Sequence, residues 1–236
     1  MKHIVSFSGG KDSTAMLLRM LELKMPIDEV RYLDHGTWEF PQMTQHINEV
    51  ERCIKIPITK LKCKYTFDHY FSEYERETNK GEKVKGYGFP FLSYRWCTTK
   101  KAKVLNKEID KHKTILYIGF NLDEKRRANS KSLEKYYVEY PLINWGWDRK
   151  KVLQYCYLRG FYWGGLYNFF SGVSCWCCPF KRITEFRNLR LYFPDLWQRL
   201  KEMQKISKND FLSRGVTIFD LDKRFEDEEN HKLLNP

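Results

Sequence analysis

Long hydrophobic runs are absent from the sequence, and their absence excludes several classes of protein. No apolar stretch approaches the roughly 18–20 residues that a membrane-spanning helix needs. The chain begins with a short apolar run, Ile4 and Val5, that predicts a strand, rather than with the basic and apolar segments of a secretion signal. We therefore expect a cytoplasmic protein with no membrane partner.

Acidic side chains are outnumbered by basic ones. The sequence has 30 Asp and Glu residues against 42 Lys and Arg, giving a formal net charge of +12. Basic surfaces attract phosphate backbones, so DNA or RNA is a candidate partner. Solvated lysine-rich helices would give the same balance, and the charge alone leaves both interpretations open. The acidic segment 220–229 is interpreted as a solvated terminus.

The GxxxxGK(S/T) spacing of a Walker A loop is missing, but a different glycine turn is present. The hexapeptide SGGKDS occupies residues 8–13, between a predicted strand and a predicted helix. Gly9 and Gly10 carry no Cβ, so the backbone can bring N–H groups close to an anion at the helix start. Lys11 adds a positive charge, and Asp12 can hold a Mg²⁺ ion that bridges phosphate oxygens. The alternative is an ordinary tight turn with a Ser or Asp cap.

Apolar segments alternate between strand-like and helix-like lengths in the first half of the chain. The predicted strands are 3–7, 28–33, 57–62 and 114–119, and the predicted helices are 13–24, 41–54, 67–78, 98–112, 148–159 and 183–206. Such alternation predicts an α/β fold: a parallel five-stranded sheet with helices on both faces, plus a helical C-terminal subdomain. We expect residues 1–147 to form a nucleotide-binding domain and residues 148–236 to form the subdomain packed on it. Ligands of such sheets bind at the carboxyl ends of the strands.

The seven cysteines are not expected to form disulfides, because no secretion signal is present. Cys175 and Cys178 have the CxxC spacing that lets two thiolates converge on one metal or cluster, and the fold could bring Cys97 to them. Cys177 is a candidate fourth ligand. Reduced structural thiols, or zinc in place of iron, are the alternatives. The remaining three, Cys53, Cys63 and Cys156, are expected to be small buried hydrophobes.

Several further motifs follow SGGKDS in a fixed order. They are DHGTWEFP at 34–41, RWCT at 95–98, GFNLDEKRR at 119–127, YPL at 140–142, GLY at 165–167 and CWCCP at 175–179. This order resembles the phosphoadenylylsulfate (PAPS) reductase family of the PP-loop ATP pyrophosphatase superfamily, also called adenine nucleotide alpha hydrolase-like. That superfamily binds pyrophosphate with an SGGxDS loop. The resemblance extends from residue 3 to about residue 182.

The resemblance implies roles for individual residues. The nucleotide-binding residues would be Ser8, Gly9, Gly10, Lys11, Asp12, Ser13, Asp34, Gly36, Glu39, Gly119, Arg126 and Arg127, and the catalytic ones Lys11, Asp12 and Arg127. Iron–sulfur members take cluster ligands from positions that match Cys97, Cys175 and Cys178, which implies a 4Fe–4S cluster. The alternative for the two arginines is a surface loop in which they pair with Asp123 and Glu124. The sequence departs from the family at His35, where Thr is usual, and at Asn121, where Arg is frequent.

Two observations bear on the reaction. Sulfonucleotide reductases of this family usually carry a C-terminal Glu-Cys-Gly-Leu/Ile-His segment with a nucleophilic thiolate, whereas residues 179–236 contain no cysteine. The reductases also usually depart from SGGxDS, which is intact here. Both favour ATP with Mg²⁺. We predict an ATP-dependent sulfurtransferase that adenylates an acceptor, releases pyrophosphate and transfers sulfur to nucleic acid, with a sulfur donor protein as a candidate partner.

Three other functions remain open from the sequence. One is a sulfonucleotide (PAPS or APS) reductase that uses an external thiol. Another is an enzyme like the small subunit of sulfate adenylyltransferase, which shares SGGKDS and has no need of the cysteine triad. The last is a non-catalytic nucleotide-binding module with a structural zinc.

Overall fold

The computed structural model describes residues 1–78, 81–129, 134–212 and 215–234, with side chains to residue 231. The strands in chain order are β1 (Lys2–Ser6), β2 (Glu29–Asp34), β3 (Ile58–Lys62), β4 (Glu75–Glu77), β5 (Lys83–Lys85), β6 (Thr114–Ile118) and β7 (Tyr137–Glu139). The helices are α1 (Lys11–Glu22), α2 (Pro41–Ile54), α3 (Phe67–Ser72), α4 (Trp96–Leu105), α5 (Lys125–Ala128), α6 (Pro141–Asn144), α7 (Arg149–Tyr157), α8 (Ile183–Tyr192), α9 (Pro194–Ile206) and α10 (Ile218–Leu234). Short 3-10 segments span Gly36–Trp38, Leu122–Glu124 and Trp163–Asn168.

The chain divides into two compact units. The first contains Met1–His35, Glu39–Cys63 and Lys100–Ser174, and the second contains Gly36–Trp38, Lys64–Thr99 and Cys175–Pro236. Residues 148–174 therefore belong to the first unit, although the sequence prediction assigned them to the C-terminal subdomain. The predicted division into domains 1–147 and 148–236 stays a prediction.

A five-stranded parallel sheet forms the centre of the first unit. Its strand order is β3-β2-β1-β6-β7, and every pairing is parallel. In the central strand, Val5 lies opposite Val30 on one side and Tyr117 on the other. Ile4 and Val5 are both buried, as expected for parallel strands covered on both faces. The predicted α/β fold class is confirmed, and so are the first three predicted strands and the first two helices, within about two residues at each end.

The second unit is mainly helical, with one antiparallel hairpin formed by β4 and β5. Its core contains an aromatic cluster in which the ring of Trp96 lies 5.6 Å from Trp38 and 5.7 Å from Phe67, measured between centroids. The Trp96 indole N–H donates to the Gly88 carbonyl at 3.0 Å. This hydrogen bond anchors the N-terminal end of α4. The helix spans Trp96–Leu105, so it begins two residues before the predicted helix 98–112 and ends seven residues before the predicted end.

Two other helix predictions were wrong in part, and one strand was not predicted. The helix predicted over 67–78 ends at Ser72, because the chain turns there into the β4–β5 hairpin. The helix predicted over 183–206 is two helices, because Pro194 has no N–H to continue α8 and instead starts α9. Strand β7 was not predicted, since three residues at a sheet edge leave little periodic signal.

The acidic segment 220–229 lies within α10 rather than forming a solvated terminus. One face of this helix buries Leu221 and Phe225. Its carboxylates pair with arginines of α8: Arg190 Nε lies 2.9 Å from Asp222 Oδ1, and Arg187 pairs with Glu228. The acidic residues therefore hold α10 against basic α8, which the charge run alone did not indicate.

Candidate functional site

The SGGKDS loop connects β1 to α1 at the carboxyl end of the sheet. Gly9 has a φ of +72°, and a Cβ placed there would lie 2.9 Å from Met43 Cε and 3.2 Å from Ile47 Cγ1. The backbone conformation therefore favours glycine, and a side chain at this position would displace Met43 and Ile47 of α2. The indole N–H of Trp163 donates to the Gly9 carbonyl at 2.7 Å and holds the loop backbone in place.

The first turn of α1 is organised around backbone N–H groups. Gly10 precedes the helix and provides no side-chain cap. The Lys11 N–H donates to the hydroxyl oxygen of Tyr167 at 2.8 Å. Ser13 Oγ accepts from the Ser8 N–H at 3.1 Å and lies 3.1 Å from the Gly10 carbonyl, so it closes the loop internally. A helix start of this kind favours an anionic ligand.

Lys11 and Asp12 form an ion pair at the mouth of the loop. Lys11 Nζ lies 2.5 Å from Asp12 Oδ2, and the Lys11 residue is only 5% exposed. The amide of the fully buried Asn121 donates to Asp12 Oδ1 at 2.7 Å. Both oxygens of Asp12 are therefore positioned, one by a cation and one by a neutral donor. A carboxylate held in this way is a suitable ligand for Mg²⁺.

Gly119 follows β6 and lies against the start of α1. A Cβ at this position would be 2.9 Å from the Ser13 backbone nitrogen and 3.0 Å from the Asp12 carbonyl carbon. The absence of a side chain therefore lets the end of β6 approach the loop, and this close approach brings Asn121 within reach of Asp12.

A cleft of about 520 Å³ opens above the loop, within the first unit. Seven of the predicted site residues line it: Ser8, Gly10, Lys11, Asp12, Ser13, Gly119 and Arg127. Its other lining residues include His35, Lys101, Phe120, Asn121, Arg149 and Tyr167. The cleft therefore combines a phosphate-binding type of loop with four cationic side chains, which suits a polyanionic ligand.

Five predicted nucleotide-binding residues are not part of the cleft lining. Gly9 faces Met43, Asp34 pairs with Lys62 at 3.5 Å, and Arg126 is exposed. Glu39 is buried and engaged by two neighbours within the fold, the Tyr32 hydroxyl and the His35 imidazole. Gly36 belongs to the second unit and has a φ of +60°.

Arg127 lines the cleft, but it is also engaged at the surface. Its guanidinium pairs with Glu124 and lies 4.3 Å from the centroid of the Phe120 ring. The sequence left open whether this arginine binds a ligand or pairs with a neighbouring carboxylate. In the structure, it pairs with Glu124. An anion bound in the cleft would compete with Glu124 for the guanidinium.

The cleft residues that were not among the sequence-predicted site residues include His35, Asn121 and Tyr167. The sequence marked His35 and Asn121 as unusual, since both differ from the residue that the PAPS reductase family usually has at these positions. It did not indicate a role for either residue. Tyr167 belongs to the GLY motif and is 156 positions from Lys11, so only the fold places its hydroxyl at the helix start. Burial raises the pKa of Tyr167, and its hydroxyl stays protonated at neutral pH.

We expect Tyr167→Phe to lower the free energy of unfolding by about 1 kcal/mol, because the Lys11 N–H loses its acceptor while the ring volume is kept. Urea denaturation measures this change. Tyr162→Phe is the matched control, since Tyr162 is 55% exposed on the neighbouring turn and should unfold like the unaltered protein. An equal effect of the two substitutions would show that the hydroxyl of Tyr167 does not support the loop.

Four cysteines lie together in the second unit. Cys97 is on α4, and Cys175, Cys177 and Cys178 follow one another in a turn that Trp176 anchors by donating its indole N–H to the Thr37 carbonyl at 2.9 Å. Cys97, Cys175 and Cys178 are partly exposed, whereas Cys177 is buried. Of the cysteines expected to be small buried hydrophobes, only Cys156 is buried; Cys63 is partly exposed and Cys53 is exposed.

The thiols affect one another electrostatically. Burial, as the largest cause, together with the neighbouring Cys175 and Cys97 raises the pKa of Cys178 to about 11. Burial also raises the pKa of Cys177 well above its ordinary value. Within the described ranges, no group of three His, Cys, Asp or Glu side chains is arranged to hold a metal ion. The donor set, three soft thiols in one unit, nevertheless has the chemistry of an iron–sulfur or zinc site.

Among the residues with described coordinates, no helix is both long and apolar enough to cross a membrane.

Comparison with known proteins adds two archaeal relatives. The uncharacterized protein MJ0066 of Methanocaldococcus jannaschii is 28% identical over 208 residues, which cover 83% of this chain and 40% of that protein. The uncharacterized protein MJ0973 of the same organism is 27% identical over 216 residues, covering 85% of this chain and 47% of that protein. The chain thus spans less than half the length of these curated relatives.

A solved structure also aligns with most of the chain. It is the U34-tRNA thiolase NcsA from Methanococcus maripaludis with its 4Fe–4S cluster, at 18% sequence identity and a TM-score of 0.42, covering 98% of this chain and 73% of that one. A likeness of this size carries no functional inference.

The family model of the phosphoadenosine phosphosulfate reductase domain matches residues 2–181. This region contains the SGGKDS loop, all strands of the parallel sheet, the cleft and the four neighbouring cysteines. On this match, which covers most of the chain, the chain belongs to the phosphoadenosine phosphosulfate reductase domain family.

Proposed function

We propose that the protein is an ATP-dependent sulfurtransferase that adenylates an acceptor, releases pyrophosphate and then transfers sulfur. The observation that carries the proposal is Asp12, whose carboxylate stands at the start of α1 beside Lys11 and is oriented by Asn121. A carboxylate at this point repels a bare phosphate chain and attracts one that arrives with Mg²⁺. ATP with Mg²⁺ has that chemistry.

The roles of the loop residues follow from their positions. The Lys11 ammonium and the N–H groups of the first turn of α1 beyond Lys11, whose own N–H donates to Tyr167, would bind the pyrophosphate portion of ATP. Asp12 would hold the Mg²⁺ that neutralises charge on the leaving pyrophosphate. Arg127 would release Glu124 to contact a phosphate oxygen. Catalysis by such a site comes from positioning and from stabilisation of charge in the transition state.

The second step requires sulfur, and the cysteines of the second unit are the candidates to provide its chemistry. Cys97, Cys175 and Cys178 would hold a 4Fe–4S cluster, with zinc as the alternative. Such a cluster would supply an iron with an open position for sulfide, because three protein ligands leave one iron without a thiolate. Cys177 is buried and remains only a candidate fourth ligand.

Nucleic acid is the proposed acceptor, with the formal net charge of +12 as its support. Phosphate backbones bind basic proteins through counterion release, and their binding weakens as salt is raised. The reaction needs a source of sulfur, and a sulfur donor protein is the further candidate partner.

The second candidate is a sulfonucleotide reductase that takes its thiol from another chain. The family match supports it, and so do the cleft cations Lys101, Arg127 and Arg149, because a sulfonucleotide carries sulfate and phosphate without needing Mg²⁺. Its products differ from those of the first candidate: the external thiol is oxidised to a disulfide, sulfite leaves with adenosine bisphosphate from PAPS or with AMP from APS, and no pyrophosphate is formed.

The experiment uses anaerobically purified full chain and ATP labelled in the α-phosphate, with sulfide as the sulfur source. Total RNA and single-stranded DNA are supplied in separate reactions. We expect labelled AMP and unlabelled pyrophosphate to appear only when one of the two nucleic acids is present. Cleavage that is indifferent to nucleic acid would instead indicate a small acceptor. Sulfite release from PAPS with a dithiol, without ATP cleavage, would establish the second candidate.

A further inference from the structure

A histidine–carboxylate pair lies beside the phosphate-binding loop. His35 follows β2 and lines the same cleft as Lys11 and Asp12. Its Nδ1 bonds to Oε1 of Glu39, and the other oxygen of Glu39 accepts from the Tyr32 hydroxyl. His35 and Glu39 are 8% and 6% exposed. The imidazole is therefore fixed in orientation by a buried carboxylate that is itself fixed.

The hydrogen bonds define which nitrogen of the ring is basic. The Glu39 carboxylate can only accept, so Nδ1 carries the proton toward it and Nε2 is the basic nitrogen. Burial lowers the pKa of His35 below its ordinary value of 6.5, and Lys101 lowers it further. Glu39 and Asp34 act in the opposite direction and raise the pKa. The net direction is downward, so the ring is neutral and able to accept a proton at neutral pH.

The arrangement is more than a histidine packed in a core. A carboxylate that holds Nδ1–H both orients the imidazole and stabilises the imidazolium that forms when Nε2 takes a proton. His35 lines a cleft with a phosphate-binding loop. Its Nε2 is shielded from solvent, so an acceptor has to bind directly against the ring for Nε2 to take its proton. Threonine, the residue usual in the family at this position, cannot accept a proton in this way.

We propose that His35, oriented by Glu39, is the general base that removes a proton from the acceptor during adenylation. This inference rests on the proposed function. As the acceptor oxygen forms its bond to the α-phosphorus, the bond from that phosphorus to the bridging oxygen of pyrophosphate breaks. The electron pair of the acceptor's O–H or adjacent N–H bond stays with the acceptor, and the proton moves to His35 Nε2. Pyrophosphate leaves with its electron pair, and no oxidant or reductant is needed.

The first test compares AMP release at saturating ATP for the unaltered protein, His35→Thr and Glu39→Gln, with total RNA or single-stranded DNA as acceptor. We expect His35→Thr to lower this rate about 10²–10⁴-fold, the usual contribution of a general base, while calorimetry shows unchanged ATP binding. His35→Ala should recover part of its activity with added imidazole. Circular dichroism of each variant checks that it folds.

The second test measures how the rate of AMP release depends on pH. A purely structural role of His35 would leave this dependence unchanged. In the unaltered protein, the rate at saturating ATP should fall on the acid side through a pKa below 6.5, as His35 becomes protonated. Glu39→Gln removes a group that raises this pKa, so the acid limb should move to lower pH. Lys101→Gln removes a group that lowers it, so the limb should move to higher pH. Lys103→Gln, on the exposed side of the same helix, is the matched control and should leave the limb in place.

Each outcome separates this role from the proposed function. If His35→Thr weakens ATP binding but keeps the rate at saturation, the dyad is a nucleotide contact and the general-base role is wrong. If the acid limb stays in place in both the Glu39 and Lys101 variants, the role is also wrong, although AMP release still supports the proposed function. If the unaltered protein releases no AMP with either nucleic acid, the proposed function fails, and this role with it.

Discussion

Asp12→Asn is expected to lower the rate of pyrophosphate release by about two to three orders of magnitude, the effect of losing one preorganised electrostatic group at a reacting centre. The substitution keeps the shape and the contact with Asn121 through an oxygen, but it removes the negative charge that pairs with Lys11 at 2.5 Å and would hold Mg²⁺. The measurement is release of labelled pyrophosphate from ATP over a range of Mg²⁺ concentrations. Raised Mg²⁺ should restore part of the rate if the carboxylate binds the ion.

Asp195→Asn provides the matched control. Asp195 also lies in the first turn of a helix, α9, but it is exposed and belongs to the second unit rather than to the cleft. Its substitution should leave pyrophosphate release unchanged. Undiminished release by Asp12→Asn would overturn the assignment of the SGGKDS loop as the ATP site, because no other residue of the loop can take over a metal ligand's charge.

Serine substitution of Cys97, Cys175 or Cys178 is expected to abolish stable iron binding in each case. Serine keeps the size but replaces a soft thiolate by a hard hydroxyl, which is a poor ligand for an iron–sulfur cluster. The anaerobically purified unaltered protein should carry about four iron atoms per chain and absorb visible light. Iron and acid-labile sulfide are quantified by colorimetry, and zinc by mass spectrometry.

Cys53→Ser is the control for the cysteine series, since Cys53 is exposed on α2 in the other unit. It should retain the iron of the unaltered protein. Cys177→Ser tests the fourth ligand separately: retention of iron would exclude it, and loss of iron in a folded variant would support it. Colourless protein that contains zinc would contradict the cluster and favour the structural alternative.

Local sequence was enough to predict the SGGKDS turn and the strand and helix that flank it. Glycines and a short polar string between two apolar segments restrict the backbone strongly, and the structure has the strand, turn and helix where the pattern indicated. The break before Pro194 could also have been predicted, because proline at that point has a local physical cause. Strand β7 could not, since its three residues are defined only by their pairing with β6.

The surroundings of the loop were harder to predict because they depend on contacts distant in sequence. Glu39 was expected to shape a nucleotide pocket, yet its carboxylate is engaged by Tyr32 and His35. Asn121 reaches Asp12 only because Gly119 permits close approach of β6 and α1. A single sequence gives the types of these side chains, whereas their partners are decided by how strands and helices pack.

The contacts from Trp163 to Gly9 and from Tyr167 to Lys11 have a consequence for biosynthesis. The residues that open the chain depend on partners that are translated more than 150 positions later. During synthesis, the SGGKDS segment therefore leaves the ribosome long before the groups that fix its backbone exist. The SGGKDS loop cannot take its final form until the segment 163–168 has emerged, so any N-terminal fragment that ends before residue 163 carries the motif without the support that shapes it.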